Sequence, residues 1–113
     1  MFITVKHLPK EYKRDMSCIY DDKEIESFIK EVIKNNDMIR VADIVSSNNI
    51  TDIDYILEQA FRLTNSIESS WYLNKDIDVA DIAKDGCRST SKGDIIMVDG
   101  ETYIVTTYGF TKL

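Results

Sequence analysis

Hydrophobic positions change their spacing several times along the chain. Phe2-Ile3-Thr4-Val5-Lys6-His7-Leu8 is a short run of β-branched and aromatic residues closed by Pro9, which predicts a strand over residues 1–8. From Asp21 the period lengthens: Ile25, Phe28, Ile29, Val32 and Ile33 recur at i, i+3, i+4, i+7 and i+8, the stripe of an amphipathic helix. Asp21 as N-cap with Glu24 three residues on makes a capping-box-like start, and Asn35-Asn36 a stop. Met38, Val41, Ala42 and Val45 repeat the helical spacing more weakly and predict a short second helix ended by Ser46-Ser47-Asn48-Asn49. Thr51 then caps a third, with Ile53, Ile56, Leu57, Ala60 and Phe61 on one face, Asp52 and Asp54 in its first turn, and Thr64-Asn65-Ser66 as its end. Residues 66–87 read as a connecting segment with one helical turn at Val79–Lys84, stopped by Gly86.

All four glycines, Gly86, Gly93, Gly100 and Gly109, lie in the final twenty-eight positions, so the tail 88–113 holds most of the backbone punctuation. Asp99-Gly100 between two apolar, β-rich runs predicts a two-residue type I′ hairpin. That turn sets a register in which Val98 opposes Glu101, Met97 opposes Thr102, Ile96 opposes Tyr103 and Ile95 opposes Ile104. Ile96, Val98 and Tyr103 share one face and Ile95, Met97 and Ile104 the other, so the hairpin should be covered on both sides. Tyr108-Gly109-Phe110 begins a last short strand, with Gly109 marking a bulge or a close backbone approach. The expected class is α+β: an N-terminal strand, two or three amphipathic helices over 21–65, and a C-terminal antiparallel SH3-like hairpin or three-stranded sheet that the N-terminal strand joins. Residues 1–113 form one domain, with Phe28, Ile56, Phe61 and Ile96 in its core.

Composition narrows the class further. With 43% hydrophobic and 30% charged residues the chain is globular rather than disordered. No apolar run approaches the roughly eighteen residues needed to cross a bilayer, and the start lacks the charged-then-apolar order of a secretion signal. A cytoplasmic setting follows, and the unlinked cysteines Cys18 and Cys87 are expected to be free thiols. The net charge of −6 is uneven: four Lys/Arg stand against two Asp/Glu in residues 1–20, seven against fifteen in 21–85, and three against three in 86–113. A groove that neutralises phosphates needs the opposite sign from that middle segment. The acidity reads instead as a solvated helical surface or as a face for a basic partner.

Chemistry is sparse. His7, the only histidine, has no Ser, Cys or Asp at useful spacing and reads as structural. Asp76, Asp78, Asp81 and Asp85 fail as a calcium loop, because Ala80 occupies a ligand position and no twelfth-position glutamate follows. Gly93-Asp94 has no Gly-rich loop opening a helix and no P-loop Lys-Ser pair. No catalytic set, metal or cofactor site is expected. Two features exceed the bland reading. Trp71 with Tyr72 lies outside any helical stripe and is either sheet packing or a binding anchor. Arg88 opens a Ser/Thr-rich turn in which its guanidinium ties carbonyls or a carboxylate such as Asp94.

The tail, with Arg88-Ser89-Thr90-Ser91-Lys92-Gly93-Asp94, then an apolar strand, Gly100-x-x-Tyr103 and Gly109-Phe110, resembles the R-S-x-S-x-G-D, G-x-x-Y, G-F ending of YodL-like domains and of small proteins of bacteriophages and other mobile elements. Thr64 to Trp71 resembles the segment that precedes that ending in the phage proteins, so the resemblance covers residues 64–113. Lys92 departs from the small apolar residue usual at its place. The family carries no established activity or agreed binding residues. The resemblance implies a mobile-element origin and, by the company such proteins keep, a non-enzymatic protein that binds, and inhibits or adapts, a host or phage protein in counter-defence or host takeover. Its partner-binding candidates are Trp71, Tyr72, Arg88, Asp52, Asp54 and Glu58. The alternative is a nucleic-acid-associated accessory module that uses the β tail with Lys6, Lys10, Lys13 and Arg14.

Overall fold

A computed structural model describes residues 1–46, 52–67 and 69–113. Six antiparallel strands form one sheet in the order β3-β2-β1-β4-β5-β6, with β1 Phe2–His7, β2 Ile39–Val45, β3 Asp78–Val79, β4 Ile95–Val98, β5 Glu101–Val105 and β6 Phe110–Lys112. Helices α1 Lys10–Ser17, α2 Asp22–Lys34 and α3 Ile53–Leu63 complete an α+β chain, with 3₁₀ turns at Trp71–Leu73 and Asp81–Ala83. The N-terminal strand lies centrally and pairs β4, so the tail hairpin and the chain start share one sheet.

Two apolar clusters occupy opposite faces of that sheet. Ile3, Val5, Ile96 and Val98 look toward α3, whose Ile56, Leu57 and Ala60 are buried there with Trp71. Ile95 and Ile104 look toward Met16 of α1 and Ile25, Ile29 and Val32 of α2. The expected two-sided cover of the hairpin is therefore present, and its register matches at all four positions from Val98↔Glu101 to Ile95↔Ile104. Asp99 and Gly100 have φ of 48° and 89°, the pair of positive values a type I′ turn requires.

Helix ends follow local chemistry. Asp21 accepts from the backbone N–H groups of Lys23 and Glu24, and Asn36 takes φ 58° past the C-cap Asn35. The Thr51 cap of the third helix lies outside the described residues. Asp52 holds the N-cap position instead and accepts from the Asp54 N–H.

Several expectations need correction. The weak second helix is strand β2. Its register slips between Val5 and Lys6, which pair with Ala42 and Arg40 respectively and leave Val41 over as a bulge. Two consecutive buried residues, Val41 and Ala42, thus break the two-residue alternation and imitate helical spacing. Residues 10–17, to which the pattern assigns no element, form α1 directly after Pro9. The connecting segment contains β3, which pairs with Ala42 and Asp43. Gly109 marks no bulge or close approach: a Cβ there would meet nothing, and its carbonyl accepts from Thr106 N–H across the β5–β6 turn. Ile56 and Ile96 are core residues as expected. Phe28 and Phe61 are half-buried, edge-on to Tyr12 and Phe110 respectively.

Candidate functional site

The densest polar cluster lies where the end of β1 meets residues 87–94. Gly93 has φ 93°, and a Cβ on it would come within 2.9 Å of Met16 Cγ, so glycine is required on two counts. That geometry turns the fully buried Asp94 inward, beneath the β1–α1 junction. Its Oδ1 accepts from Leu8 N–H at 2.7 Å and Arg88 Nη2 at 2.7 Å; its Oδ2 accepts from Ser91 N–H at 2.8 Å and Arg88 Nη1 at 2.6 Å. Lys13 Nζ stands 3.3 Å from Oδ1 and also donates to Ser91 Oγ and the Lys92 carbonyl. Burial opposes ionisation of Asp94, but the Arg88 hydrogen bonds and the positive charges around it prevail and hold the carboxyl below its ordinary range. Both oxygens are saturated by the protein itself.

A second chain of contacts begins at the buried His7. Thr64 Oγ1 donates to the Ala60 carbonyl at 2.9 Å, and Thr90 Oγ1 donates to Thr64 Oγ1 at 2.7 Å. The Thr90 oxygen, 2.9 Å from His7 Nε2, is therefore left to accept, which places the proton of neutral His7 on Nε2. The free Nδ1 lone pair then faces Cys87 Sγ at 3.5 Å. Burial lowers the His7 pKa to about 4, Asp94 opposing and Arg88 and Lys13 assisting. Burial also raises the half-buried Cys87 thiol above its usual range. At neutral pH the pair is thus an imidazole and a thiol, not the thiolate that makes cysteine a strong nucleophile. Among the described residues no group of His, Cys, Asp and Glu has metal-binding geometry.

The sequence candidates divide into two groups. Trp71 is 3% exposed and donates its indole N–H to the Arg88 carbonyl at 2.9 Å, so the indole is core packing rather than an exposed anchor. Tyr72 is half-buried and packs edge-on against it. Arg88 ties Asp94 and the Leu8 carbonyl, the role its turn suggested. Ser89 Oγ accepts from Ser66 N–H, and the Thr64 carbonyl accepts from Thr90 N–H, so 64–71 and 87–94 are stitched side by side. Lys92 donates to the Ile19 carbonyl. The second group is on α3: Asp54 and Glu58 are exposed there, while Asp52 is spent as the N-cap. The His7–Cys87 contact is the relationship spacing could not reveal, since eighty positions separate the partners.

Comparison of the chain with protein-family models, curated proteins and solved structures finds no match.

Proposed function

We propose that this chain is a small non-enzymatic protein that binds, and inhibits or adapts, a host or phage protein in the host cytoplasm, a counter-defence or host-takeover role of the kind its tail resemblance suggests. The observation that supports this reading is the solvent side of α3. Asp54 and Glu58 stand there exposed, and neither takes part in an ion pair among the described residues. Carboxylates so placed add little to stability and are available to basic groups of a partner. The nucleic-acid alternative draws on a smaller basic set than composition suggests, because Lys13 is committed to Asp94, Ser91 and Lys92, and Lys6 is half-buried in β1.

The test is capture. The wild-type chain and an Asp54→Lys/Glu58→Lys variant are immobilised and exposed to host lysate, with Asp52 left intact because it caps the helix. The wild type should retain one protein, less of it as salt rises, and the variant should lose it. Equal recovery by the variant would refute the acidic-face reading.

A further inference from the structure

We infer that one flank of α3 is a docking trough for an amphipathic helix of the partner protein, an inference that rests on the protein-binding reading above. Tyr55, Gln59 and Leu63 follow one another at four-residue steps and form a ridge along α3, the kind of ridge into which a second helix packs. Along this row the surface opens. One cavity of about 200 Å³ is lined by Ile44 and Val45 with Tyr55, and another of about 550 Å³, mixed in character, by Ile67, Trp71 and Leu73 together with Asn65, Ser70 and Asn74. Gln59 and Leu63 line both, so the two cavities form one trough. Large apolar side chains are left in water along it: Val45 is 79% exposed, Ile67 71%, Leu73 66% and Tyr55 49%. Exposed apolar side chains rimmed by polar residues are the kind of surface that serves as an interaction site.

Charge selects the occupant. Glu58 lies three residues beyond Tyr55, hence beside it on the helix surface, and Arg62 stands at the other end on the wall of the larger cavity. The complementary ligand is a helix with an apolar stripe, basic residues at the Tyr55 end and none beside Arg62. The ridge from Tyr55 to Leu63 is about 12 Å long at 1.5 Å per residue, so three turns of such a helix span it.

The test uses a side-chain-bridged helical peptide of about fourteen residues with a leucine stripe, lysines in one half and glutamines in the other; a control peptide replaces the lysines by glutamates. Bridging is needed because a free helix of this length is marginal in water. The lysine peptide should bind at least tenfold more tightly than the control and shift the amide resonances of Tyr55, Gln59, Leu63 and Leu73. Ile67→Glu and Leu73→Glu, both at exposed positions, should each weaken it at least tenfold with an unchanged melting temperature. Equal binding of the two peptides, resonance shifts elsewhere, or unaltered affinity of both variants would overturn the inference. So would concentration-dependent dimerisation that Leu73→Glu abolishes, since the occupant would then be a second copy. If the Asp54→Lys/Glu58→Lys variant loses its captured protein while Leu73→Glu keeps it, the trough is refuted and the acidic-face reading stands. Undiminished capture by the charge-reversed variant would refute the acidic-face reading and, because Glu58 is the charge that selects the occupant, the basic-helix occupant with it.

Discussion

Arg88 grips both oxygens of Asp94, at 2.6 and 2.7 Å, while the same guanidinium holds the Leu8 carbonyl at 3.0 Å. One side chain thereby joins the glycine-rich tail to the junction of β1 and α1. Removing it leaves a fully buried carboxylate whose other neighbouring cation is Lys13 at 3.3 Å. Loss of one partner of a buried pair costs about 3–5 kcal/mol, and Lys13 together with the partial exposure of Arg88 moves the expectation to the lower end. Arg88→Ala should therefore lower stability by about 3 kcal/mol in urea unfolding. Arg88→Lys should recover less than half of that, because an ammonium cannot present a fork. A full recovery by lysine would show that charge alone, and not bidentate geometry, holds the junction.

His7 makes stability depend on pH in a definite window. Its pKa falls from 6.5 to about 4 on folding, so between those values the unfolded chain binds a proton that the folded chain excludes. The contribution is complete above pH 6.5 and is lost as pH falls toward 4, a change of about 3 kcal/mol. Asp94 adds a second loss below about pH 4, where the unfolded carboxyl protonates before the folded one. Urea midpoints measured from pH 7 to pH 4 should fall steadily in the wild type and much less in His7→Gln. Parallel slopes for the two proteins would mean that His7 is accessible to protons in the fold.

How far these features could be read from the residues depends on the range of the interaction that makes them. The hairpin at Asp99-Gly100 and the cap at Asp21 are local, and their chemistry is written within four residues. The Arg88–Asp94 pair was also readable, since both partners belong to one turn. Strand β2 was not, because its identity comes from pairing with β1 on one side and β3 on the other, and its bulge at Val41 erases the alternation that would announce it. Helix α1 is silent in the pattern for a related reason: Met16 is its single buried residue, too little to give a stripe. Of the candidate site residues, Trp71 is core because of segments 17 and 64 positions away, Arg88 and His7, which nothing in E-S-S-W-Y-L-N discloses.

The tail glycines should differ sharply in how they tolerate substitution. Gly93 has φ 93° and Met16 Cγ at 2.9 Å from the position of a new Cβ, whereas Gly109 has open space and no positive φ. Gly93→Ala is expected to cost about 1–3 kcal/mol through backbone strain and overpacking. Gly109→Ala should lie within about 0.5 kcal/mol of the wild type. Gly100→Val, at φ 89° in the hairpin turn where an added Cβ meets nothing, should cost more than about 1 kcal/mol, chiefly through the backbone. Thermal melts of the three variants decide the order, and a Gly109→Ala as damaging as Gly93→Ala would show that the β5–β6 turn requires glycine after all.

Thiol reactivity gives the most direct test of whether the His7–Cys87 contact does chemistry. Cys18 is exposed just past the end of α1 and serves as an internal reference, its sulfur meeting the Arg14 carbonyl at 3.7 Å. Cys87 is half-buried, its thiol is held above the usual range by burial, and the imidazole beside it is too weak a base at neutral pH to take the proton. Alkylation requires the thiolate, so at pH 7 iodoacetamide should label Cys18 about tenfold or more faster than Cys87, as read by peptide mass spectrometry. His7→Gln should leave that order unchanged, because the histidine assists nothing that the reagent senses. Were Cys87 instead the faster residue, with its advantage lost in His7→Gln, the contact would be an activated dyad and the non-enzymatic reading of this protein would have to be abandoned.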